Sequence, residues 1–112
     1  MLTRGNDLTL VSWGTPVYHC ETALKMLEQP PKAIAEHVPV SLRSAKVELI
    51  DLRTIMPWDM DTVAESVKRT GRLVVVHEAG RTGGVGAEIG AEIQKQCFLK
   101  LNAPVKLVTG WE

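Results

Sequence analysis

Apolar residues fall along the chain in short β-forming runs that alternate with stretches of three-and-four spacing, and glycine, proline or aspartate closes most of them. Leu8-Thr9-Leu10-Val11-Ser12-Trp13 reads as a strand stopped by Gly14. Thr15 and Pro16 then supply an N-cap and a proline at the first helical position. Val17, Cys20, Leu24 and Leu27 continue as one apolar stripe that ends before Gln29-Pro30-Pro31. Val47 to Ile50 make a second strand. A second helix begins at Asp59 or Met60, with Asp59 as N-cap, Asp61 in the first turn, and Met60, Val63, Ala64 and Val67 inward. Lys68, Arg69 and Gly71 mark its stop. Arg72 to Val76 is the third strand, and its unbroken apolar run suits a central parallel strand covered on both sides. Val85, Ile89, Ile93 and Cys97 form the buried line of a third helix reaching about Phe98, with Gly86 and Gly90 allowing close approach. Val105 to Thr109 read as a fourth strand. The order βαβαβαβ predicts an α/β fold, a mostly parallel sheet with helices on its faces.

Between the first helix and the second strand, about 30–45, lie three prolines and only a weak apolar rhythm of Ile34, Val38 and Leu42. A short helix around Lys32 to His37, stopped by Pro39, fits there. A connection this long is uncommon inside a compact domain, which makes it a surface insertion.

Length sets one domain with a single core: the chain has 112 residues. The 13 Lys and Arg balance the 13 Asp and Glu, with no basic cluster, so nucleic acid is not an expected partner. Apolar runs of a few residues fall far short of the ~20 needed to span a bilayer, which argues for a soluble domain with no membrane partner. The first residues show neither a secretory nor a transit-peptide pattern. Cys20 and Cys97 stand far apart without a ligand-spaced neighbour, and His19 points away from Cys20 on a helix, so they read as two small buried thiols.

Charge at the strand ends is the candidate chemistry. Asp51 and Arg53 end the second strand and His77-Glu78 the third, and in an open parallel sheet the carboxyl edge is where ligands and partners meet the fold. Asp51 and Arg53, two apart, point the same way in extended backbone, so a salt bridge, a shared hydrogen-bond net, or a structural pair fixing the turn all fit. His77-Glu78 suggests a base with its carboxylate, but adjacent strand residues point apart, and a rim histidine is more often at an interface or one layer behind it. Gly83-Gly84-Val85-Gly86 follows a strand and opens a helix as a phosphate loop does. From Gly84, however, the third required glycine falls on Ile89, and no Gly-Lys-Ser/Thr follows. A nucleotide or flavin module using Gly83 to Gly90 stands as the alternative to a glycine turn that only packs. No serine elbow, cysteine–histidine pair or carboxylate-rich metal set appears, so no catalytic, cofactor or metal residues are assigned. Trp13, Trp58 and Trp111 sit at element ends, where tryptophan serves either core-edge packing or an interface.

Gly5-Asn-Asp-Leu-Thr-Leu-Val-Ser-Trp-Gly14, Asp51-Leu-Arg-Thr-Ile-Met-Pro-Trp-Asp59, Thr70-Gly-Arg-Leu, and His77-Glu-Ala with Thr82-Gly-Gly occur in this order. Together they resemble the C-terminal, transketolase-like domain of the β subunit of 2-oxoacid dehydrogenases. Trp58, His77-Glu78-Ala79 and Gln94-Lys-Gln-Cys-Phe-Leu99 resemble the branched-chain type most. The resemblance implies a three-layer α/β/α sandwich whose antiparallel first strand is cut short at Met1 to Arg4, in a chain cut from a longer β subunit. It implies oxidative decarboxylation of branched-chain 2-oxoacids and acyl transfer to lipoyl groups in the mitochondrial matrix. Thiamine diphosphate and magnesium serve that parent enzyme, with none expected on this chain, which is expected to be inactive alone. The implied partners are the decarboxylase α subunit, a second β subunit and the lipoyl acyltransferase core. Asp51, Arg53, Trp58, His77 and Glu78 are then expected at, or just behind, an interface.

Overall fold

The computed structural model describes residues 3–53, 59–78 and 84–109. Four strands, β1 (Leu8–Ser12), β2 (Val47–Asp51), β3 (Leu73–Val76) and β4 (Lys106–Val108), form one sheet in the order β2-β1-β3-β4, and every pairing is parallel. Helices α1 (Pro16–Glu28), α2 (Met60–Thr70) and α3 (Val85–Cys97) make the crossovers. Parallel strands need such crossovers, and the parallel pairing gathers the carboxyl ends of these four strands on one rim.

Alternation along the strands splits the core in two. Val11, Ile50, Leu73 and Val75 pack against Val63, Ala64 and Val67 of α2 and Ile89, Ile93 and Cys97 of α3. On the opposite face Leu10, Val47 and Leu49 meet Cys20, Leu24 and Leu27 of α1, the stripe expected for that helix. The result is the three-layer α/β/α sandwich. Cys20 and Cys97 are buried free thiols in these two separate clusters, and burial pushes both thiols up from their ordinary pKa. β3 does lie between two strands, but α1 sits mainly over β1 and β2, so Val74 and Val76 are only half-buried on that face. The expected cover on both sides is therefore complete on one side only.

Local signals worked unevenly at the helix ends. Asp59 caps α2, accepting from Thr62 N at 3.2 Å and from the Thr62 hydroxyl at 2.7 Å, and these bonds hold its carboxyl below the usual range. Gly71 closes the same helix in the left-handed conformation at φ 73°. Thr15 does not cap α1: its backbone is already helical, and the turn is instead tied by Val17 N to Gly14 O and Tyr18 N to Thr15 O. The insertion holds two short 3₁₀ turns, Ala35–His37 and Val40–Ser44, rather than one helix. Arg43 braces them by donating to the carbonyls of Ala35 and Val38.

Beneath α2, at the amino ends of the strands, the core turns polar. The Thr9 hydroxyl bonds those of Ser66 and Thr70, each at 2.7 Å, and Glu48, 2% exposed, pairs with Arg69. Burial by itself pushes the Glu48 carboxyl up. The Ser66 hydroxyl, the Arg69 guanidinium as donor and as charge, and the Gly5 N–H outweigh burial and hold it below the ordinary glutamate value.

Gly86 brings α3 down on the end of β3, for a Cβ there would run into the His77 ring and reach Val75 at 3.4 Å. Gly86→Ala is therefore expected to cost about 1–3 kcal/mol, read as a lower midpoint in denaturant at unchanged slope. A folded-state pKa below the unfolded one makes Glu48 a source of stability above the ordinary glutamate value. That contribution is lost as pH falls from there through the lowered value. Unfolding free energies measured across this acid window should show a downward slope that Glu48→Gln flattens.

Candidate functional site

The carboxyl rim is built by register. Ser12 at the end of β1 faces Asp51 on one side and Val76 on the other, and its hydroxyl donates to the Val76 carbonyl at 2.8 Å. Leu52 N donates to Ser12 O at 2.9 Å, so the chain is still held to β1 one residue past β2. That bond buries Leu52 and turns Asp51 and Arg53 outward together. β1 separates β2 from β3, so Asp51 and His77 share the rim without being strand neighbours.

Asp51 and Arg53 do not form the salt bridge or shared net considered from their spacing. Among the described residues the ion pairs are Arg69–Glu48 and the exposed Glu36–His37. Instead they line one open cleft of about 570 Å³ with Gly14, Val17, Tyr18 and Glu21. Gly14, at φ 70°, makes the sharp turn that opens this cleft between β1 and α1. Tyr18, 72% exposed on the first turn of α1, stands at its edge. An acid, a base and a large aromatic surface there remain available to another molecule.

His77 sits behind the rim surface, not on it. It is 3% exposed, lies against Gly86, and stacks on Trp13 with ring centroids 5.5 Å apart and planes 17° apart. Among the described residues neither ring nitrogen has a hydrogen-bond partner. Packing outcompetes presentation here because the missing side chain at Gly86 leaves a slot for an imidazole and Trp13 closes it. Glu78 beside it is exposed, and Trp13 is the half-buried outer layer. Trp58, Trp111 and Gly83 lie outside the described residues.

The glycine segment behaves as a packing turn where it is described. Gly84 precedes α3 in extended backbone without a side-chain cap, and the space beside Gly86 belongs to His77. Among the described residues no three His, Cys, Asp or Glu come together to hold a metal, and no helix is long and apolar enough to cross a membrane.

Tyr18 and the Trp13–His77 stack escaped the sequence reading. An exposed aromatic on the polar side of α1 was a readable signal, whereas a stack between the ends of two strands depends on the strand order.

Comparison with known proteins extends this picture. The profile of the transketolase C-terminal domain matches residues 1–112. The 2-oxoisovalerate dehydrogenase subunit beta, mitochondrial, of Chaetomium thermophilum is 49% identical over 113 residues, covering 99% of this chain and 22% of that protein. Its namesake in Dictyostelium discoideum is 46% identical, covering 100% of this chain and 27% of that protein. The pyruvate dehydrogenase E1 component subunit beta of Staphylococcus epidermidis is 42% identical over 94% of this chain and 28% of its own length. A solved structure described as split gene transketolase, inactive beta4 tetramer, superposes with a TM-score of 0.66 at 27% identity, over 96% of this chain and 30% of that one. The chain thus spans about a quarter of the length of these relatives. The four parallel strands, the two-sided helical cover and a profile match along its whole length agree: the chain belongs to the transketolase C-terminal domain family.

Proposed function

We propose that this chain is the C-terminal domain of the β subunit of a 2-oxoacid dehydrogenase of the branched-chain type. In this reading the complete enzyme oxidatively decarboxylates branched-chain 2-oxoacids and passes the acyl group to lipoyl, in the mitochondrial matrix. The domain itself serves assembly and docking. The observation that carries the proposal is near-half identity, along the whole chain, to β subunits named for 2-oxoisovalerate.

The geometry supports a docking role over a chemical one. Asp51, Arg53 and Tyr18 share an open cleft, and the Asp51 and Arg53 side chains are not paired with each other. Arg53 is suited to a carboxylate on a partner surface, since a guanidinium binds one through two parallel hydrogen bonds. Trp13, stacked on the buried His77 ring, adds rigid area at the end of β1. Glu78 and Asp51, with Trp58 by its place in the family motif, complete the proposed partner-facing set. The partners in this reading are the decarboxylase α subunit, a second β subunit and the lipoyl acyltransferase core. Self-association in a relative, the inactive β tetramer, is consistent with a surface made for subunits.

Thiamine diphosphate and magnesium belong to the proposed parent enzyme. The described residues do not fit them: the space at Gly86 that a phosphate loop would leave open is filled by the His77 ring. The Asp, Glu, His and Cys side chains described do not converge on a metal position either. No step is assigned to the cofactor on this chain.

The test uses the complete β subunit co-expressed with its α subunit. Arg53→Ala is expected to lower the yield of assembled tetramer by about tenfold, the loss of roughly 1.4 kcal/mol of contact. Turnover per assembled tetramer should change little. Full assembly with lost turnover would assign Arg53 to the chemistry instead.

A further inference from the structure

Thr9 and Glu48 are register neighbours on β1 and β2, so both side chains turn to the face that α2 covers. What α2 sets against them is polar: Ser66 and Thr70, one turn apart, with Arg69 beside them. The contacts run in line. The Glu48 carboxylate accepts from the Ser66 hydroxyl, and that hydroxyl meets Thr9 at 2.7 Å. Thr9 meets Thr70 at 2.7 Å, and Thr70 reaches the Arg72 carbonyl at 3.0 Å. Glu48, Thr9, Ser66 and Thr70 are all buried, so bulk water does not make up for a missing donor.

Proton counting gives the line a direction. It has four bonds and three hydroxyl protons to fill them. An ionised carboxylate donates nothing, so with Glu48 charged the hydroxyls all point toward it: Thr70 to Thr9, Thr9 to Ser66, Ser66 to Glu48. The bond left without a proton is then at the far end, between Thr70 and the Arg72 carbonyl, which still accepts from Thr9 N at 2.9 Å. A neutral Glu48 brings the fourth proton. Its carboxyl donates to Ser66, each hydroxyl turns about its own C–O bond, and Thr70 donates to Arg72 O. No O–H bond breaks in the reversal. Aligned hydroxyls polarise one another, which favours the two uniform directions over a broken line.

We propose that Ser66, Thr9 and Thr70 form a reversible hydroxyl chain that carries the charge state of Glu48 to the turn between α2 and β3. Gly71 alone stands between Thr70 and Arg72 there, in the left-handed conformation, and Arg72 N donates to the Thr70 hydroxyl at 3.3 Å. With Glu48 charged, the Thr70 proton is committed to Thr9. With Glu48 neutral, Thr70 both accepts from Arg72 N and donates to Arg72 O, closing the turn on itself. Arg69, from α2, is the charged group that faces Glu48 among the described residues, and it favours the direction toward the carboxylate.

The test is run at neutral pH on the complete β subunit assembled with its α subunit, with isotope labels in the threonine methyl groups. The Thr70 methyl resonance, assigned by its loss in Thr70→Val, reports which way the neighbouring hydroxyl points. Glu48→Gln keeps the shape of the side chain, removes its charge and brings N–H donors. It is expected to reverse the chain and displace the Thr70 resonance by more than its linewidth. Thr9→Val cuts the chain in the middle, and in that background Glu48→Gln should leave the Thr70 resonance in place. Thr9→Ser keeps a hydroxyl there and should keep the displacement. If Glu48→Gln fails to assemble, Ser66→Ala removes the acceptor ahead of Thr9 and is expected to displace Thr70 in the same direction, again not in the Thr9→Val background. The proposal is overturned if the Thr70 resonance moves in neither variant, or if it moves as far in the Thr9→Val background, the mark of a field acting through space.

Discussion

Everything in this domain depends on β1 being paired in parallel on both sides. That constraint fixes Leu10 and Val11 as the middle of two separate cores, one under α1 and one under α2 and α3. It also places Ser12 between Asp51 and Val76, so the ends of three strands are brought level. Because the four described strands run parallel, their carboxyl ends lie at one end of the sheet and their amino ends at the other. The carboxyl end collects Asp51, Arg53, Trp13 and Glu78, and the amino end collects Glu48, Arg69 and the hydroxyls of Thr9, Ser66 and Thr70.

The two ends are finished in opposite ways. At the amino end buried polar groups are matched to one another, and burial of the Glu48 carboxylate is offset by an arginine, a hydroxyl and a backbone N–H. At the carboxyl end Asp51 and Arg53 are turned outward beside an open cleft and do not pair with each other. The interior of that rim is locked by Trp13 stacked on a buried histidine. An end held rigid beneath and left unpaired on its surface is suited to receiving another subunit, which ties the fold to the proposed place in a larger dehydrogenase.

Much of the architecture was legible in the sequence because it rests on local signals. Asp59 and Gly71 bracket α2 by short-range chemistry that survives in the folded chain, and the α1 stripe of Val17, Cys20, Leu24 and Leu27 needs only helical spacing. The rim was legible in outline, since strand ends can be read from where apolar runs stop. What escaped is what depends on which strands are neighbours. Spacing left open whether Asp51 and Arg53 pair, and although the bond from Leu52 N to Ser12 O keeps both on one side, the two side chains do not meet. Spacing left His77 either at the surface or one layer behind it, and the slot beside Gly86 that takes it in depends on where α3 lands. Glu48 carried a readable warning, a charge in the apolar run Val47-Glu48-Leu49-Ile50, but its partner Arg69 lies on another element and becomes visible only once α2 is laid over the sheet.

The carboxyl rim is the surface proposed to meet the other subunits. Hydrogen exchange of the complete β subunit, alone and assembled with its α subunit, measures this directly. Assembly should slow exchange in peptides spanning Trp13 to Glu21 and Asp51 to Arg53, and leave the exposed turn at Phe98–Lys100 unchanged. Rim peptides that exchange equally fast in the free and assembled subunit would contradict it.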